Sequence, residues 1–97
     1  MPGNLHPTDG ARYLLERDGA GEGATVRYRA AIYTPDTAYT ALAELCDDGR
    51  VELAPTGAPD ELHARLLTMA RLVARDAARR RADGMPAWPH RVLRWRR

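Results

Sequence analysis

The alternation of apolar and polar positions is clearest over residues 25–33, TVRYRAAIY. Val26, Tyr28, Ala30 and Ile32 fall on one face, and Thr25, Arg27, Arg29, Ala31 and Tyr33 on the other. Period two with aromatic and β-branched residues predicts a half-buried strand. Upstream, residues 11–16 form a short apolar patch, followed by the glycine-rich stretch 18–23, where regular structure is costly. The patch and the strand can therefore pair as a hairpin across that loop. Residues 50–54 read as a further short strand.

The period changes after Pro59. Leu62, Leu66, Met69, Ala70, Val73 and Ala77 recur at steps of three and four, which predicts one long helix over 59–82. Asp60 and Glu61 suit the positive end of its dipole, and Gly84 and Pro86 end it. The tail from Trp88 cannot be helical around Pro89, and its second half reads as a last strand or an extended arm.

Residues 34–49 fit two patterns. Thr34-Pro35-Asp36-Thr37 resembles a helix start, with Thr as cap and Pro at the first helical position. Tyr39, Ala41, Ala43 and Leu45 alternate as a strand would, and Asp47-Asp48-Gly49 is a hairpin signal. The capping signature favours the helix. The fold expected is α+β: one domain over 11–97, with a short antiparallel sheet of three or four strands packed by the long helix. Residues 1–10, with two prolines and two glycines, read as a flexible lead-in. A helix, three-strand meander, helix order would resemble the double-stranded-RNA-binding domain in topology only. That fold typically opens its last helix with a lysine-rich segment, where this chain has Pro59-Asp60-Glu61-Leu62, and the family is not assigned.

Composition qualifies the picture. The chain of 97 residues is 44% hydrophobic, but 17 of its residues are Ala, and Leu, Ile, Val and Phe together number 16. The expected core is thin, and a partner subunit would help to complete it. There is no Ser and no Lys, which excludes Ser-centred triads, Schiff bases and the GK[ST] phosphate loop. Cys46 alone makes no internal disulfide. No apolar run approaches membrane-spanning length, so no membrane role is expected and the expected compartment is the cytoplasm.

Charge is the feature that points outward. Residues 1–61 carry five Arg and eleven acids; residues 62–97 carry ten Arg and two acids, so −6 is followed by +8. Arg71, Arg75 and Arg79 form a row at four-residue spacing opposite the apolar stripe. With Arg91, Arg94 and Arg96 of the tail they are the candidates for gripping phosphates or carboxylates, as in nucleic-acid binding. A solvated helix face explains the same row. Leu67 and Leu72 flank the stripe, and with Trp88 and Trp95 they are the candidate interface residues. Both indoles can equally complete a core that has no Phe.

Catalytic signals are weak. His6, His63 and His90 lack metal-ligand spacing, Asp60–His63 reads as a surface pair, and Asp47-Asp48 as turn formers. No catalytic residue, metal or cofactor is expected. The functional expectation is a non-enzymatic interaction module, self-associating through its long helix or binding a protein partner, with nucleic-acid binding by the Arg-rich half as the alternative.

Overall fold

The computed structural model describes residues 5–97. The order is β1 (Ala11–Arg17), β2 (Thr25–Tyr33), β3 (Ala38–Cys46), β4 (Val51–Leu53), α1 (Asp60–Ala82) and β5 (Arg91–Arg96). The strands form one antiparallel sheet in the order β4-β3-β2-β1-β5. The α+β architecture is as expected, but among the described residues the sheet has five strands rather than three or four.

The extra strand is the ambiguous segment. Residues 38–46 form β3, not a helix, and pair with β2 over nine residues, from Thr25 opposite Cys46 to Tyr33 opposite Ala38. The capping signature at Thr34 has another outlet. The Thr34 amide donates to the Thr37 carbonyl at 2.9 Å, and the Thr37 amide donates to Thr34 Oγ1 at 3.0 Å, which closes a hairpin turn. A Thr side chain satisfies a hairpin amide as readily as a helix N-terminus, so the signal does not discriminate. The β3–β4 turn is the one Asp48 builds: its carboxylate accepts from the Arg50 amide at 3.0 Å, and Gly49 takes φ 94°.

Helix α1 lies on one face of the sheet and sits closest to β3 and β4, with lesser approach to β1 and β2. Its deepest residues are Leu66, Ala70, Ala74 and Ala77. The stripe read from hydrophobicity is rotated: Ala74 is buried, while Leu62, Met69 and Val73 are half-buried. Large side chains come from the sheet and the tail instead. Tyr13, Tyr28, Leu15, Ile32 and Trp88 fill the core, and a helix presenting Ala can approach them closely. The helix ends with the Gly84 amide donating to Arg81 O and the Met85 amide to Arg80 O, with Gly84 at φ 76°.

The expected lead-in over 1–10 begins outside the described residues. Within the described part, Pro7 is buried, His6 Nδ1 lies 2.6 Å from the Thr34 carbonyl, and the Asp9 carbonyl accepts from the Trp95 indole at 3.1 Å.

Candidate functional site

The ten second-half arginines are divided between the protein's own acids and the open surface. Four of them pair with acids of the first half: Arg65 with Glu61 at 2.8 Å, Arg81 with Asp47 at 3.0 Å, Arg91 with Glu16 at 3.9 Å, and Arg97 with Asp9 at 3.0 Å. All are solvent-exposed pairs, worth roughly 0–1 kcal/mol each. Within the expected helix row, Arg79 pairs with Asp76, while Arg71 and Arg75 form no ion pair among the described residues. The Arg75 stem runs past Gly49, its Cγ 2.9 Å from where a Cβ on that glycine would stand. The row therefore drifts from the helix crest toward the β3–β4 turn.

The tail divides the candidates further. Pairing parity places Arg91, Leu93 and Trp95 on the sheet face that no helix covers, and Val92, Arg94 and Arg96 on the helix side. The two indoles have opposite fates. Trp88 is completely buried, 6.4 Å ring to ring from Tyr28, and its Nε1 donates to the Gly23 carbonyl at 3.0 Å. It belongs to the core and has no surface to offer a partner. Trp95 is 44% exposed, with the Arg97 guanidinium 5.7 Å from its ring centre. Leu67 is half-buried, whereas Leu72 is 56% exposed on the flank of α1 that borders β5.

Beside Leu72 lies a groove that the sequence did not announce. Because α1 leans toward β3 and β4, β5 projects past it. The space between is about 570 Å³, lined by Tyr13, Arg65, Met69, Arg94, Arg96 and Arg97 among others. Glu61 is the acid in that lining, and it is held by Arg65. Tyr13 stands opposite Arg94 on the neighbouring strand. It is only 2% exposed, and its hydroxyl has no hydrogen-bond partner. Leaving such a group unsatisfied costs about 1–3 kcal/mol. Tyr13 is a functional candidate that sequence reading missed, since the pairing joins residues some 80 positions apart.

Among the described residues, no strand pairs with the outer side of β5. The Arg17 amide donates to the His90 carbonyl at 2.8 Å, so His90 faces β1. In an antiparallel ladder each residue directs both backbone groups to one side, alternating along the strand. Residues 92 and 94 hence face β1, and 91, 93 and 95 face away. The Arg94 guanidinium folds back onto the outward carbonyl of Leu93 at 3.0 Å.

Local surroundings shift Tyr28 and Asp48. Burial pushes the Tyr28 phenol up to about 12, against the lowering pull of Arg17 and Arg80, and the hydroxyl donates to the Pro89 carbonyl at 2.6 Å. Asp48 is held below the usual carboxylate range by the Arg50 amide and guanidinium. His63 Nδ1 lies 3.1 Å from Thr56 Oγ1, away from His6 at Thr34. No group of three or more His, Cys, Asp or Glu among the described residues is placed to hold a metal ion. Among them, no helix is long and apolar enough to cross a membrane.

No family model matches this chain, and no curated protein or solved structure matches it either.

Proposed function

We propose that this chain is a non-enzymatic interaction module that self-associates through the exposed flank of α1 that carries Leu72. The observation that carries the reading is Leu72, a large apolar side chain left 56% exposed on a charged helix. The ends of that helix are complementary: Asp60 and Glu61 open it, and Arg79, Arg80 and Arg81 close it. Two copies packed antiparallel about Leu72 bury that side chain of each against the other, an isologous contact. The pairing of Arg65, Arg81, Arg91 and Arg97 with first-half acids supports the same reading, because it offsets part of the positive charge that a polyanion would need. Sedimentation velocity across micromolar concentrations tests it. The sedimentation coefficient should rise with concentration for the natural chain and stay at the monomer value for Leu72→Arg. A natural chain that is monomeric throughout overturns the reading.

A second reading, nucleic-acid binding, rests on Arg71 and Arg75, whose guanidinium groups are exposed and unpaired among the described residues. Mixed-sequence RNA or DNA should then bind with an affinity that falls steeply with salt. Absence of binding at low salt ends it.

A further inference from the structure

We propose that the free edge of β5, with the groove beneath it, is a docking site for an extended peptide segment whose residues alternate acidic and apolar. The docked segment adds antiparallel to β5 as a sixth strand.

Three observations converge on that occupant. The first is the ladder itself. The backbone groups of Arg91, Leu93 and Trp95 point away from β1, so β5 offers donors and acceptors at peptide spacing. A nucleic-acid backbone has no amide to give the outward carbonyls. The Leu93 carbonyl is meanwhile covered by the Arg94 guanidinium. An incoming amide replaces that contact and releases the guanidinium for a carboxylate.

The second is the face-by-face chemistry of β5. On the helix side stand Arg94 and Arg96, above the groove shared with Arg65; on the other side stand Leu93 and Trp95. Cross-strand neighbours interact directly, so acids on one face of the added strand meet Arg94 and Arg96, and apolar residues on its other face meet Leu93 and Trp95. A second copy of β5 is a poor occupant, because the strand carries three arginines and no acid, so it would crowd cations along the edge with no carboxylate among them.

The third is Tyr13. Its hydroxyl is buried, has no partner, and belongs to a side chain lining the same groove opposite Arg94. A carboxylate entering beside Arg94 supplies the acceptor that the hydroxyl lacks. Leu72 lines the same groove, so the docking site is tested on Arg94, Arg96 and the outward β5 amides, which self-association through α1 does not use.

The test is a titration of the full ¹⁵N-labelled chain with an acetylated, amidated octapeptide of alternating Glu and Val. Controls are its Lys-for-Glu analogue, the same peptide N-methylated at alternate residues, and a single-stranded oligonucleotide. The Glu peptide should bind and slow the hydrogen exchange of the Arg91, Leu93 and Trp95 amides. The Lys and N-methylated peptides should bind at least tenfold more weakly, as should the Glu peptide to Arg94→Gln/Arg96→Gln. Tyr13→Phe should weaken binding severalfold while leaving the spectrum folded. Three results overturn the proposal: no binding at millimolar peptide, binding without protection of those three amides, or tighter binding of the oligonucleotide at the same salt.

Discussion

Tyr13 stands directly opposite Arg94 in the β1–β5 ladder, yet its buried hydroxyl has no hydrogen-bond partner. A guanidinium can only donate, so Arg94 offers nothing for a phenol proton, and its own contact is the Leu93 carbonyl. Tyr13→Phe removes an unsatisfied polar atom and keeps the ring. The variant should be more stable than the natural chain by about 1 kcal/mol, read from urea unfolding midpoints at constant slope. A destabilised variant would show that the hydroxyl is satisfied in solution.

Trp88 joins three parts of the molecule: the segment after α1, the β1–β2 loop through Gly23, and the ring of Tyr28. Trp88→Ala should cost about 3–5 kcal/mol, as is usual for emptying a large aromatic site. Trp88→Phe should recover most of the packing but not the bond to the Gly23 carbonyl, leaving a deficit of about 1 kcal/mol. Equal losses for the two variants would mean that the site collapses around either replacement.

The Tyr28 phenol gives a pH dependence of definite sign. Its folded value is raised from 10.0 to about 12, so the folded state keeps its proton where the unfolded chain releases it. The contribution is fully present below pH 10 and is lost as pH rises toward 12. Tyr28→Phe should flatten that alkaline loss, measured as the difference between the two unfolding curves against pH. Parallel curves above pH 10 would refute the assignment to Tyr28.

Two glycines with positive φ should respond unequally to Ala. Gly84, at φ 76°, has open space where a Cβ would go, so Gly84→Ala should cost only the left-handed penalty of about 1–2 kcal/mol. Gly10, at φ 70°, would in addition drive its Cβ into the Arg96 carbonyl. Gly10→Ala should cost clearly more and loosen the end of β5, seen as faster amide exchange there. Equal costs would place the Gly10 segment away from β5 in solution.

These particulars show where the sequence is readable. Val26, Tyr28, Ala30 and Ile32 alternate because one face of β2 meets the core, and all four are buried. The hairpin across the glycine-rich loop and the long helix also follow their patterns. Residues 38–46 are ambiguous in sequence because Thr34 can cap either a helix or a turn, and only the nine-residue pairing with β2 decides between them. The rotation of the α1 stripe toward Ala74 was hidden for a related reason. A hydrophobicity count prefers Val73, but the size of Tyr13, Tyr28 and Trp88 across the interface selects small residues. The two tryptophans, alike in sequence, separate only once their strands and loops are placed. Arg71, Arg75 and Arg79 were visible as a row, but their neighbours Asp76 and Gly49 determine what each guanidinium meets. The groove was invisible from the start, since its two walls lie far apart in the chain.

The pairing of β1 with β5 also sets an order of events during synthesis. Strand β1 meets β2 within a few residues, but its other edge has no partner until residues 91–96 have been made. A nascent chain carrying β1 to β4 and α1 therefore exposes the β1 edge, which includes Leu15 and Tyr13, until residues 91–96 have been made. Pairing across so long a stretch is slow, because the loop must close before the contacts form. Arrest or truncation ahead of Arg91 would leave the backbone groups of that edge unpaired, with only Arg12, Glu16 and Arg17 of β1 itself to guard it, and such a chain is more prone to aggregate than one in which β5 has paired.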